Sequence, residues 1–251
     1  MSQLASRDVV YSHADIRMIG RLSSPADGVG LPGVLLIHDA FGLGADMAAI
    51  ADRYAELGYA VFAADVWGER LEPTSGQEIG GLIGGMASDR AAWMGRIRAA
   101  HIAAAAQPEV AADRIAIAGY CFGGSSALEY LRTGGDVLGV VSIHGGLDLV
   151  EGDWSDPTSS TRVLLCTGAD DPMAAPQHWQ PIKAGLTTAG IDWEFDLYSG
   201  TRHAFTNPKA DGLGIPGAAY NARSSARAWA RTVAFLDELF TTESTTSSCD
   251  A

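Results

Sequence analysis

Positive charge is scarce in this sequence. Seventeen Lys and Arg stand against thirty Asp and Glu over 251 residues, a formal net charge of −13. Phosphate backbones and anionic membranes are bound by clustered basic side chains, so neither nucleic acid nor a membrane surface is an expected partner. Cysteine is scarce as well. Cys121, Cys166 and Cys249 are odd in number and widely spaced, which rules out a disulfide scaffold and points to a reducing compartment. No apolar run reaches the roughly 18 residues of a membrane span, and residues 1–8 hold no apolar signal-peptide core. Internal repeats and Pro/Gly/Ser-rich linkers are missing, and so is a G-x-x-x-x-G-K-[ST] phosphate loop. Gly42 and Gly44 lack the third glycine of a dinucleotide loop. His and Cys fall in no metal-ligand spacing, so neither a metal nor a cofactor is expected. The expectation is a soluble, cytoplasmic protein that acts on small molecules, with its oligomeric state left open.

At 47% hydrophobic and 19% charged residues, the composition is that of a globular chain rather than a disordered one. Residues 1–240 read as one domain, and the Ser/Thr-rich stretch 241–251, which carries Cys249, reads as a disordered tail. Residues 9–11 and 16–22 predict an N-terminal hairpin. Residues 34–38 form a continuous apolar run, the mark of a strand buried on both faces. Further strands are predicted at 59–64, 114–120, 137–144, 163–168 and 193–198. Asp46 is the expected N-cap of a helix in which Met47, Ile50, Ala51, Tyr54 and Leu57 recur at helical spacing until Gly58. Helices are also predicted over 87–107, 122–132, 176–189 and 218–240, with Pro181 in the first turn of its helix or bending it. Five glycines within 76–86 weigh against a helix there. Strands alternating with helices predict an α/β fold, a mostly parallel central sheet with helices on both faces. Such sheets bind ligands beyond the carboxyl ends of their strands.

Gly119-Tyr120-Cys121-Phe122-Gly123 fits G-x-C-x-G, a nucleophile elbow with Cys in the place of Ser, set between a predicted strand and a predicted helix. The turn is tight, so the positions two before and two after the nucleophile must be small. The helix N-terminus aimed at Cys121 favours thiolate, and the Phe122 N–H is placed to donate to an oxyanion. In such folds the partners follow in the order nucleophile, acid, base. His203 stands just past the 193–198 strand and is the candidate base. Asp170 and Asp171, just past the 163–168 strand, compete for the acid; either could instead cap the turn before Pro172. Asp148 is a weaker third candidate.

These segments, together with Leu36-Ile37-His38-Asp39-Ala40-Phe41-Gly42 and His203-Ala204-Phe205, resemble the dienelactone hydrolase family of the α/β-hydrolase superfamily, from about residue 33 to residue 240. The resemblance implies an α/β-hydrolase fold and a carboxylic ester or lactone hydrolase of the carboxymethylenebutenolidase type. In that family the acid stands three residues after the glycine closing its strand, which implies Asp171 and a triad of Cys121, Asp171 and His203. It also implies that the Ala40 N–H completes the oxyanion site. The acidic residue before Ala40, usually Glu but here Asp39, is implied to accept the thiol proton. The family binds a substrate carboxylate with arginines, one shortly after the catalytic His. This chain has Asn207 there, and Arg70, Arg90 and Arg202 are the remaining candidate cations.

The other candidates are read as follows. Cys166, inside a predicted strand, is expected to be inert core, and Cys249 to react slowly. His38 and His144 end strands near the expected site, as structural histidines or pocket walls. Trp67, Trp93, Trp154 and Trp179 are candidates for an acyl-pocket wall or for core. Two other functions compete. A Cys-dependent amidase would carry a carboxylate two residues after its His, where Phe205 stands. A non-catalytic hydrolase-fold binding module is disfavoured by a triad complete and in order.

Overall fold

A computed structural model describes residues 3–158 and 160–242. The predicted hairpin is there and longer than expected: β1 (Leu4–His13) and β2 (Ile16–Pro25) pair antiparallel along their whole length. There follow β3 (Leu31–Ile37), α1 (Ala45–Ala55), β4 (Ala60–Ala64), α2 (Gly76–Ser88) and α3 (Arg90–Ala105). The second half runs through β5 (Val110–Tyr120), α4 (Phe122–Arg132), β6 (Gly139–Ile143), β7 (Arg162–Gly168), α5 (Pro176–Thr188), β8 (Asp192–Tyr198) and α6 (Ala222–Thr242). The strands form one eight-stranded sheet in the order β1-β2-β4-β3-β5-β6-β7-β8. From β4 to β8 every pairing is parallel.

The apolar runs explain the layering. Successive strand residues point to opposite faces, so a run with no polar alternation must be covered twice. Leu35, Ile37, Phe62, Ile117, Val140 and Leu165 pack with Trp93 and Ile97 of α3, Leu128 and Leu131 of α4, and Ile182 and Leu186 of α5. Val34, Leu36, Val61, Ala118, Val141 and Leu164 pack on the other face with Tyr54 of α1 and Phe235, Leu236 and Leu239 of α6. Burying one such Val, Leu or Ile is worth about 1.5–3 kcal/mol, which makes this double cover the main source of stability. Trp67, Trp93 and Trp154 belong to the first of these layers and Trp179, partly buried, packs against it; none of the four lines the cavity beside Cys121. Among the described residues no helix is long and apolar enough to cross a membrane.

Several expected boundaries are corrected. Gly44, not Asp46, is the N-cap of α1; Asp46 lies in the first turn and its carboxylate binds the Lys209 ammonium. The helix does stop ahead of Gly58, whose φ of 101° favours glycine. The glycines of 76–86 do not prevent a helix. Ser75 and Glu78 form a capping box that starts α2, and its hydrogen bonds offset part of the weak propensity. Asp89 caps α3, which therefore begins three residues later than expected. Pro181 lies in the second turn of α5, with Pro176 at its start. The helix expected from residue 218 begins at Ala222 and continues to Thr242, two residues into the expected tail. The rest of that tail, Cys249 included, lies outside the described residues.

Candidate active site

The elbow lies where β5 meets α4. Cys121 is the N-cap of α4 with φ 54° and ψ −115°, a conformation that costs a non-glycine residue about 1–3 kcal/mol. Its backbone holds the turn closed: the Cys121 N–H donates to the Ile143 carbonyl, and its carbonyl accepts from Gly124 and Gly146. A Cβ at Gly119 would run into the Gly123 carbonyl, and one at Gly123 into the Ile37 carbonyl of β3. Small residues at both positions are therefore a steric requirement. Phe122 anchors the first turn of α4 in a cluster with Trp67 and Trp93, ring centroids 4.5 and 5.2 Å away. As the first helical residue its N–H has no acceptor within the helix.

His203 reaches Cys121 from the loop after β8. Its N–H donates to the Gly217 carbonyl and its carbonyl accepts from Ala219, so the loop is clamped on both sides. The Nδ1–H donates to Asp171 Oδ2 at 2.8 Å, and Nε2 lies 3.1 Å from Cys121 Sγ. Burial alone would push this imidazole down. The Cys121 sulfur and the Asp171 carboxylate outweigh it and hold His203 up at about 10. Asp171 is buried, whereas Asp170 is exposed. Asp171 also caps its turn, since Oδ1 accepts the Met173 N–H at 2.9 Å. The two readings of this position, acid and turn cap, are thus served by different oxygens of one carboxylate. A Cβ at Gly168 would strike the Thr201 carbonyl, so the β7 and β8 loops approach closely enough for Asp171 to reach His203. Asp148 is exposed in a short turn and joins neither.

The relay opens onto a cavity of about 750 Å³ that Asp39 and Ala40 also line. Asp39 Oδ1 accepts the Phe41 N–H at 2.9 Å. Burial pushes its carboxyl up to about 6, and the Phe41 hydrogen bond only partly opposes this. The Ala40 N–H meets no protein acceptor among the described residues. His38 is structural: Nε2 accepts the Val66 N–H at 3.0 Å and Nδ1 donates to the Asp39 carbonyl. His144 does line the cavity, with φ 39° and Nε2 2.7 Å from the Thr206 hydroxyl; burial and the neighbouring His203 push it well down. Cys166 is fully buried, and burial pushes its thiol up to about 12.

The candidate cations are corrected. Arg70 pairs with Asp8, Arg90 with Glu129 and Glu151, and Arg202 is exposed; none lines the cavity. Arg53 and Lys209 do line it. Lys209 is held by both Asp46 oxygens at 2.7 and 2.8 Å, and Arg53 stacks on Trp229, 3.6 Å from the ring centroid. Arg53 is exposed on α1, one turn from Ile50, which also lines the cavity. Asn207 lines the cavity, and its side-chain oxygen accepts the Lys209 N–H. Among the described residues no three His, Cys, Asp or Glu side chains converge as a metal site requires.

Known proteins are similar to this chain over most of its length. A solved structure of a dienelactone hydrolase-like promiscuous phosphotriesterase from metagenomic libraries superposes with a TM-score of 0.87 and 33% identity, covering 94% of this chain and 98% of that one. The protein usf of Aquifex pyrophilus is 24% identical over 238 residues, 93% of this chain and 98% of its own. A Synechocystis sp. protein assigned by name only as a carboxymethylenebutenolidase is 22% identical over 249 residues, 94% of this chain and 96% of its own. The family model described as the dienelactone hydrolase family matches residues 18–240, from β2 to the body of α6. With its α/β-hydrolase sheet and this match across nearly the whole chain, the protein belongs to the dienelactone hydrolase family.

Proposed function

We propose that this hydrolase cleaves small carboxylic esters or lactones through a Cys121 acyl-enzyme. The observation that carries the reading is the continuous relay from Asp171 to His203 to Cys121 at 2.8 and 3.1 Å, facing a ligand-sized cavity. The Cys121 thiolate attacks the carbonyl carbon, and the carbonyl electron pair moves onto oxygen beside the Ala40 and Phe122 N–H groups. The electron pair returns, the C–O bond breaks, and the alkoxide takes the proton from His203 Nε2. Water then attacks the thioester while His203 takes its proton, and the C–S bond breaks to release acid and thiolate. Asp171 holds the Nδ1–H throughout and stabilises the imidazolium. As substrate enters, Asp39, partly exposed in the cavity, takes the proton of the Cys121 thiol while His203 keeps its own on Nε2, and Asp39 returns that proton to the thiolate once the acid has left.

The same reading takes residues 1–240 as one catalytic domain of a cytoplasmic enzyme, a role that suits its net charge of −13 and small-molecule substrates. A phosphotriester is a second substrate class, favoured by the 33% identical relative with that activity. Its P=O oxygen would occupy the same oxyanion site. The test is turnover of dienelactone, p-nitrophenyl acetate, an aryl phosphotriester and glutamine by the wild-type protein and by Cys121→Ala. Ester turnover abolished in the variant, with glutamine untouched, is expected. Turnover that survives Cys121→Ala, or glutamine hydrolysis, overturns the reading.

A further inference from the structure

The cavity beside Cys121 is larger and more apolar than a small acyl group requires. Its volume of about 750 Å³ lies in the upper part of the roughly 300–1,000 Å³ range of ligand pockets. Met47 and Ile50 of α1 and Ile79 and Ile83 of α2 line it, together with Gly76 and Gly80. A Cβ at either glycine would meet nothing within 4 Å, and neither has a positive φ. Neither packing nor backbone conformation therefore calls for glycine, and each weakens the helix relative to alanine. The chain nevertheless secures α2 at its start, where Glu78 Oε2 accepts the Thr74 N–H at 2.7 Å and the Ser75 N–H at 3.2 Å. What the missing side chains provide is room. Lys209 is matched by Asp46 and Arg53 is stacked on Trp229, while α2 contributes only Gly76, Ile79, Gly80 and Ile83 to the lining, so the α2 wall holds no charged group to recognise an anion.

Resting on the ester hydrolase reading above, we infer that the substrate carries a bulky, uncharged, apolar group, an aromatic ring or a medium-length alkyl chain. That group lies against α2, and Gly80 sets its permitted size. Gly80→Leu fills the space while keeping a strong helix former in α2. Gly81, whose Cβ would also meet nothing within 4 Å, does not line the cavity, so Gly81→Ala stiffens the helix without narrowing the site.

The experiment measures kcat/KM on two pairs of esters: p-nitrophenyl octanoate against acetate for the acyl side, and 1-naphthyl against phenyl acetate for the alcohol side. In at least one pair the wild-type protein favours the bulky ester tenfold or more. Gly80→Leu removes that preference while the small ester stays within about twofold, and Gly81→Ala leaves it in place. The responding pair tells which side of the scissile bond lies over α2. A wild-type protein without size preference, an equal loss on both members of each pair, or a Gly81→Ala variant that also loses the preference overturns the inference but not the hydrolase reading. No turnover of any ester overturns both.

Discussion

Replacing Asp39 by Asn is expected to stabilise the protein at alkaline pH while harming the chemistry. In the folded state the Asp39 carboxyl is held at about 6 against an ordinary value of 3.8, chiefly by burial. The raised value means the unfolded chain loses this proton first. Stability therefore falls as pH rises from about 3.8 through about 6, and the full cost is present above that. A displacement of about two units at 1.36 kcal/mol each sets an upper figure near 3 kcal/mol. The side chain is partly exposed to the cavity, and solvent screening there brings the expected gain to about 2 kcal/mol. Asn has no charge to desolvate, and its oxygen can still accept the Phe41 N–H. For a chain of this size the gain corresponds to a rise in Tm of about 4–8 °C at pH 8. By pH 4.5 it should shrink to about a third, because the folded carboxyl is then almost fully protonated and only the first part of the titration gap, just above 3.8, has been crossed. Urea melts of the wild-type protein and Asp39→Asn at the two pH values measure this directly. No gain at pH 8, or an equal gain at both, would show that Asp39 is not held in a costly ionised form.

Asp171→Asn should lower kcat/KM by about a hundredfold or more, because it removes the imidazolium partner and the preferred tautomer, while Asp170→Asn stays within about twofold. A larger loss at Asp170 in folded protein would transfer the role to it. Brief iodoacetamide labelling at neutral pH, read by peptide mass spectrometry, should modify Cys121 ahead of the buried Cys166; the reverse order would contradict an activated elbow thiol. Asn207→Arg should raise kcat/KM for a carboxylate-bearing lactone relative to a neutral ester by about fivefold to tenfold, the worth of one partly exposed ion pair. A wild-type protein that already prefers the anionic lactone would defeat that expectation and direct attention to Arg53.

The strands were the most legible part of the sequence because both of their faces are buried. At 34–38, 59–64 and 163–168 the apolar run itself marks the strand, and β3, β4 and β7 lie within a residue or three of it. The elbow was legible because close packing between β5, β3 and α4 tolerates only glycine at 119 and 123, and that restriction is written in the chain. Helix ends were less so, since tertiary contacts decide them. The helix is expected from residue 218, but Gly217 and Ala219 spend backbone groups holding His203, and α6 starts only at Ala222. α2 was hidden by glycine content, although the Ser75-x-x-Glu78 box that starts it is a local signal. The pocket cations could not be read at all from the ends of the strands, because Arg53 lies on α1 and Lys209 on the loop beyond His203. Choosing Asp171 over Asp170 likewise needed the family spacing, since both follow the same strand and only burial separates them.

The relay joins residues far apart along the chain, His203 standing 32 positions from Asp171 and 82 from Cys121. Its three members follow β5, β7 and β8, and the loop carrying Asp39 follows β3, so no single strand–helix unit contains them all. Contacts at such separations are the slow, entropically expensive ones to close. Local helices and the β1–β2 hairpin can form early, but Nε2 meets Sγ only after the parallel strands have taken their register. The distance between those two atoms therefore acts as a built-in checksum on folding: it comes right only in a molecule whose whole central sheet has come right.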